Sequence, residues 1–266
     1  MEREIRSVVF CTMDSLYSTF VLNNLSDNEY QKIKLIIVSD RYGGRRGSFL
    51  NQLHRNFYHS GLNFVIYLSY IFVIHRILCF FLPGCLTIRQ LARSKNIPVL
   101  QAANINSESL ISQLRELAPD LIVSCYFDQL FKKSLYSIPK WGTINIHPGP
   151  LPGYRGPFPT FWLLSSGERN SAVTVHRVDD SFDTGDVLHV EKIPLPNQPT
   201  VLSADKVILF KIPALLKRLL NNEFHLIGSV QEHHKARYFS FPKRSDIRNA
   251  RERNVKLFRA SDLLCF

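Results

Sequence analysis

Cysteine is scarce in this chain. There are five in 266 residues, and none of Cys11, Cys79, Cys85, Cys125 and Cys265 forms a CxxC pair. An odd, scattered set suggests neither a zinc ribbon nor a disulfide framework. A cysteine inside an apolar run, such as Cys125 in LIVSC, reads as a small buried hydrophobe. The stretch MEREIRSVVF carries acidic residues and then a strand-like run, so it is not expected to act as a secretory signal. The expectation is a reducing, cytoplasmic compartment. No internal repeat and no low-complexity linker is present, and no metal-ligand spacing is found. Acidic residues are in short supply, with 22 Asp and Glu against 33 Lys and Arg, a formal net charge of +11. That surplus favours an anionic partner, whether phosphate, polycarboxylate, nucleic acid or an acidic membrane surface. What is abundant is apolar: 45% hydrophobic and 12% aromatic residues exclude a disordered or collagen-like chain. The length allows one large domain with a sizeable core.

Short apolar runs alternate with helical patterns. Residues 5–11, 33–38, 98–101 and 121–125 read as strands, and 15–25, 87–95 and 106–118 as helices, the last capped by Ser107 or Ser109. Continuous apolar strands separated by helices make βαβ units and a parallel sheet. The fold class is therefore α/β, Rossmann-like and mostly parallel. Further strands are expected at 172–178 and 190–195, and an amphipathic helix at 203–220 that Pro213 must kink or break.

Residues 41–86 interrupt this pattern. A basic, glycine-bearing stretch, 41–59, is followed at 64–82 by a run broken only by Ser69, His75 and Arg76. A charged pair near the middle argues against a spanning helix. The run must still be covered by its own domain, by a second subunit in a homodimer, or by a membrane surface, with Arg45, Arg46 and Arg55 just upstream. The expected division is a catalytic domain over 1–200, containing this hydrophobic insertion, and a short C-terminal extension over 201–266.

The informative stretch begins at Trp141. Thr143–His147 alternates polar and apolar, so Asn145 and His147 share one face of a strand. A loop dense in proline and glycine follows, from Pro148 to Pro159, as a rigid wall for a pocket. After the next strand comes an acidic turn containing Asp179, Asp180 and Asp183. A carboxamide, an imidazole and a carboxylate can together run acyl transfer to an amine. Asn145 can donate to a developing oxyanion, His147 can donate to it or move a proton, and Asp183 can orient the ring. No Ser or Cys sits at a nucleophile elbow, so direct amine attack fits better than an acyl-enzyme.

The pair NIHPGPLPGYRG and VTVHRVDDSFDTG resembles the signature of the folate-dependent formyltransferases, with the spacing between the two motifs matched. The resemblance covers residues 121–188 strongly, the flanking pattern loosely and 41–86 not at all. It implies that Asn145, His147 and Asp183 take the positions of the catalytic triad. It implies 10-formyltetrahydrofolate as co-substrate, its pterin lying against the backbone of two loops. Those loops match Phe127, Asp128, Gln129, Leu130 and Phe131, and Val178, Asp179, Asp180, Ser181 and Phe182. Many relatives carry Ser and Leu where this chain has Gly149 and Pro150, so the acceptor wall is expected to differ. Tyr154 and Arg155 are the candidate contacts to an anionic acceptor.

Within that resemblance, a tail shorter than the C-terminal barrel of methionyl-tRNA formyltransferases disfavours a nucleic-acid acceptor. A small anionic amine is expected instead, first an amino sugar linked to a nucleotide. Glycinamide ribonucleotide, initiator tRNA, water (a formyltetrahydrofolate hydrolase) and a non-catalytic folate-binding module are the alternatives. The location expected is cytoplasmic, peripheral at a membrane if lipid covers 64–82.

Overall fold

In the computed structural model, which describes residues 4–40, 47–81 and 86–263, five strands form a parallel sheet at the centre of the chain. They are β1 (Val8–Met13), β2 (Ile33–Ser39), β3 (Val99–Ala102), β4 (Leu121–Cys125) and β5 (Thr143–His147). β4 is buried at every position and β1 at all but its last, as strands sandwiched between helix layers must be. Two antiparallel strands, β6 (Asn170–Arg177) and β7 (Val187–Pro194), extend the sheet beyond β5. The order is β3-β2-β1-β4-β5-β6-β7. The chain leaves β1 toward β2 on one side and returns to β4 on the other. A crevice at the carboxyl ends of β1 and β4 follows from that reversal.

Twelve α-helices of the described residues cover the sheet: α1 (Leu16–Asn23), α2 (Asp27–Lys32), α3 (Phe49–Ser60), α4 (Leu62–Ser69), α5 (His75–Phe81), α6 (Ile88–Ser94), α7 (Glu108–Leu117), α8 (Lys133–Tyr136), α9 (Pro159–Ser165), α10 (Val201–Leu209), α11 (Ile212–Leu220) and α12 (Arg244–Glu252). Capping explains several boundaries. Ser15 and Thr87 accept the first free N–H groups of α1 and α6, the usual service of an N-cap hydroxyl. Ser107 is the N-cap position of α7. Pro213 breaks the expected helix at 203–220 in two, and stands at the start of α11, where its missing N–H costs nothing.

The apolar run is not one helix. α4 passes into a π-helical turn, Tyr70–Ile74, and then α5. Its inner face is covered by this chain's own core: Phe64, Tyr67, Leu68, Tyr70 and Ile71 are buried. Phe64 meets Phe158 and Phe241 edge-on, at 5.1 and 5.3 Å between ring centroids. Leu62, Ile66, Ile74 and Ile77 remain exposed. No helix among the described residues is long and apolar enough to cross a membrane. Arg45, Arg46, Leu82, Cys85 and Cys265 lie outside the described residues.

Residues beyond 200 share the main core rather than forming one of their own. Val201, Leu202, Ile208, Leu215 and Leu219 are buried in the same cluster as β1, β5 and β6. Cys11 and Cys125 are free and buried, but Cys79 is disulfide-bonded. That corrects the reading of five single cysteines, which rested on spacing alone and could not see which thiols the fold brings within bonding reach.

Candidate active site

The alternation of β5 sets the site. Asn145 and His147 project to one side of the strand, and antiparallel pairing with β6 sets His176 opposite Asn145 and Thr174 opposite His147. Cross-strand partners share a face, so two imidazoles and a carboxamide meet there. Asp183 arrives from the turn between β6 and β7, in left-handed backbone at φ 57°, a conformation Asp tolerates better than most residues. That turn closes tightly, since a Cβ at Gly185 would come within 2.1 Å of the Arg177 carbonyl oxygen.

The four side chains converge on Asp183. Its Oδ1 lies 3.5 Å from His147 Nδ1 and 3.4 Å from His176 Nε2, and accepts from Asn145 Nδ2 at 3.2 Å. Its Oδ2 accepts the Gly156 backbone N–H at 2.8 Å. Burial works to raise the Asp183 carboxyl, but His147, His176 and the Gly156 N–H outweigh it and hold the group well below the carboxylate range. The site is therefore built around a fixed negative charge.

His147 is buried, and that burial lowers its pKa against the opposing pull of Asp183. We take the ring as neutral and Asp183 as ionised. His147 Nε2 lies 2.8 Å from the Tyr154 carbonyl oxygen. A carbonyl can only accept, so the proton sits on Nε2 and the basic nitrogen is Nδ1, facing Asp183. His176 Nδ1 likewise lies 2.7 Å from the Arg177 carbonyl, which leaves Nε2 to accept from Asn145 Nδ2 at 3.1 Å. Both amide protons of Asn145 are thus engaged at rest, one with Asp183 and one with His176. An oxyanion role requires one to turn into the cavity.

Sequence reasoning missed three of these partners. His176 was legible in the alternation of VTVHRV, but only with antiparallel pairing to β5. The Gly156 N–H is a backbone group with no signature. Gln231 lies far along the chain: its Nε2 donates to the Asp183 and Gly185 carbonyls at 3.0 and 2.7 Å. Its Oε1 accepts from Arg155 Nε and Nη2 at 3.1 and 2.7 Å.

That last contact corrects an expectation. Arg155 is buried and committed to Gln231, so it braces the Asp183 turn instead of reaching an acceptor. Tyr154 stacks on Phe239, with ring centroids 5.6 Å apart, and neither residue lines the cavity. The reason is the segment at 237–239, which pairs with the loop through Arg155 N–H to Arg237 O and Phe239 N–H to Arg155 O, at 3.0 and 2.9 Å.

The cavity itself measures about 520 Å³ and opens at the carboxyl ends of β1, β4 and β5. Asn145, His147, His176 and Asp183 line it, as do Phe127, Asp128, Gln129, Leu130 and Phe131 on one side. Gln129 fixes that loop by accepting the Ile105 N–H at 2.8 Å and donating to Ser39 and Ala102 at 2.9 and 2.8 Å. Val178, Ser181 and Phe182 also line the cavity. Asp179 and Asp180 do not: Asp179 accepts from Thr184 at 2.5 Å, and Asp180 from Tyr136 at 3.0 Å. Gly149 packs so closely that a Cβ would meet Pro159 Cβ at 2.6 Å and His147 Nε2 at 3.0 Å, so any larger side chain there would force this wall to shift.

Comparison with known proteins bears on the family and the fold. The chain is 43% identical over 108 residues to the methionyl-tRNA formyltransferase of Geobacter sulfurreducens, covering 41% of this chain and 34% of that protein. It spans between about a third and a half of the length of the curated relatives it matches. In three dimensions it resembles a phosphoribosylglycinamide formyltransferase from Anaplasma phagocytophilum, with a TM-score of 0.57 at 17% identity, covering 90% of this chain and all of that one. It also resembles a sugar N-formyltransferase from a Shewanella species, with a TM-score of 0.55 at 16% identity, covering 88% of this chain and 77% of that one. At such identities these structures speak for the fold alone. The family model described as formyl transferase matches residues 85–217, half of the chain, and by that match the chain belongs to the formyltransferase family.

Proposed function

We propose that this chain transfers a formyl group from 10-formyltetrahydrofolate to a primary amine by direct attack. The observation that carries the reading is the convergence of Asn145, His147 and Asp183 in one cavity beside two loops suited to a flat ring. The folate fits what is present: Phe127, Phe131, Val178 and Phe182 offer apolar wall, and the two loops offer backbone donors and acceptors. When bound, it supplies an electrophilic formyl carbon. In the transfer, the acceptor nitrogen gains a bond to that carbon and loses a proton, while the donor nitrogen loses its bond to carbon and gains one.

The chain's residues supply the rest. Asn145 turns one amide proton from His176 toward the oxygen on which negative charge builds. Neutral His147 accepts a proton at Nδ1, directly or through water, and Asp183 stabilises the imidazolium so formed. The Gly156 N–H and the other amide proton of Asn145 hold Asp183 in place.

The first acceptor we propose is an amino sugar carried on a nucleotide. The identity to methionyl-tRNA formyltransferases supports a second reading, in which the acceptor is a charged tRNA. The test is incubation with 10-formyltetrahydrofolate alone, and then with a nucleotide-linked amino sugar, glycinamide ribonucleotide or methionyl initiator tRNA. Tetrahydrofolate released only with an amine supports the transferase. Release without amine means a hydrolase, and no release in any arm overturns both. Formylation of the tRNA alone overturns the sugar acceptor. Asn145→Ala and His147→Ala should each lower turnover on the order of 10²–10³ while folate still binds.

A further inference from the structure

The cavity holds a second polar centre, assembled from three segments far apart in sequence. Asp205 of α10 lines it, with Tyr17 of α1 and Tyr67 of α4. Both tyrosine hydroxyls donate to the same carboxylate oxygen, Oδ2, at 2.7 and 2.5 Å. Thr160 of α9 stands in the same wall, 2% exposed, with its hydroxyl beside the Asp205 carboxylate. A carboxylate kept only for packing would be sequestered away from any cavity. Here it and all three hydroxyls line the open cavity.

None of these four groups takes part in the chemistry at Asp183. Tyr67 lies in the apolar run, and both it and Tyr17 precede the residues matched by the family model. We propose that Asp205, Tyr17, Tyr67 and Thr160 form the acceptor subsite, where the Asp205 carboxylate accepts a hydrogen bond from a hydroxyl on the acceptor's ring. The proposal rests on the formyl-transfer reading and deepens it.

The chemistry selects the ligand class. Tyrosine hydroxyls aimed at one carboxylate oxygen leave the centre rich in acceptor capacity, so its complement carries O–H or N–H donors and no negative charge. Burial pushes the Tyr17 and Tyr67 hydroxyls well above their usual range, which keeps both as donors. A phosphate would be repelled. An anionic group on the same acceptor belongs elsewhere, and Arg55 of α3, an exposed cation lining this cavity, has the right sign. A hydroxylated ring bearing an amine and carried on a phosphate meets both conditions.

The test is calorimetric, on the full chain. Folinic acid probes the donor side; a dTDP-linked amino sugar and glycinamide ribonucleotide, each titrated with folinic acid present, probe the acceptor side. We expect at least one acceptor probe to bind, and Tyr67→Phe and Asp205→Asn each to weaken it about ten- to a hundredfold, the range for a hydrogen bond to a charged group. Folinic acid should bind the variants within about twofold of the parent. Equal acceptor affinity in folded variants, or no binding of either acceptor probe, overturns the subsite. Failure of folinic acid to bind the parent chain sinks the formyl-folate reading instead, and the acceptor titrations then judge the subsite alone. Tyr67→Phe removes one oxygen and keeps the packing, so the proposal stays testable if Asp205→Asn fails to fold.

Discussion

Gly156→Ala tests how tightly the backbone holds the charge at the centre of the site. Gly156 sits at φ 94°, and an added Cβ would lie 2.1 Å from the Phe239 carbonyl oxygen and 3.1 Å from the Tyr238 ring. Ordinary contact begins near 3.4 Å, so the two backbones must part by about 1 Å or more. That opens the 2.8 Å bond from the Gly156 N–H to Asp183 Oδ2. Losing a hydrogen bond to a charged group costs about 1.5–3 kcal/mol, and left-handed backbone in a residue bearing a Cβ adds roughly 1–2 kcal/mol. For a chain of this size, about 3 kcal/mol lowers Tm by roughly 6–12 °C. A displacement of about 1 Å at a reacting group costs on the order of 10² in rate. Gly153→Ala is the control, because its Cβ would meet only the Pro150 carbonyl oxygen, at 3.7 Å. Calorimetric unfolding and formyl-transfer turnover read both variants. If Gly156→Ala matches Gly153→Ala in Tm and turnover, the N–H does not hold Asp183 and the reasoning fails.

Three further outcomes are expected. Because burial lowers the His147 pKa, its basic form persists into mild acid. The acid limb of kcat/KM against pH should therefore fall below the ordinary histidine value of about 6.5, and a limb above that value would contradict a buried neutral base. Asp205 is raised by burial, against the hydroxyls of Thr160, Tyr67 and Tyr17, so its contribution to stability is full below the unfolded value and is lost as pH rises through the folded one. The Tm of Asp205→Asn relative to the parent should then climb as pH rises above about 4, and a flat difference would refute it. Gly149→Ser should depress turnover without abolishing folate binding, since its Cβ crowds Pro159 and His147; a steady-state assay with a folinic acid titration checks both.

What could be read from the residues follows the range of the physics behind each. Strand β4 and strand β5 are legible to the residue, because a continuous apolar run and a strict alternation are local signals. Asn145 and His147 share a face for the same reason, and Asp183 is found through its motif. His176 depends on the partner strand, and Gln231 on a segment that returns across the sheet's edge. No local pattern encodes either. Arg155 shows the opposite failure: a cation in a loop that walls a pocket suggests an anion, but Gln231 and the segment at 237–239 pin the loop and bury the charge. The apolar run 64–82 reads as one helix by composition, whereas the fold interrupts it with a π-helical turn after α4, the helix whose Tyr67 lines the cavity.

The cavity contains two carboxylates whose surroundings push them in opposite directions. Asp183 receives N–H donors and lies between two imidazoles, which hold it ionised despite burial. Asp205 receives only hydroxyls, and burial prevails. Such divergence separates roles within one site. A carboxylate held this far below its usual range is a poor proton acceptor, so in the proposed transfer Asp183 would leave the amine's proton to His147 and stabilise the imidazolium. Asp205 has no imidazole partner and no part in that exchange. Burial raises its pKa, and at the cavity wall a neutral hydroxyl can meet it without displacing a counter-ion. The chemistry at Asp183 uses residues from the family-matched half of the chain, whereas the proposed selection at Asp205 borrows Tyr17 and Tyr67 from before it. Exchanging the segment that carries Tyr67 is thus a route by which one transfer mechanism can be turned to a different amine.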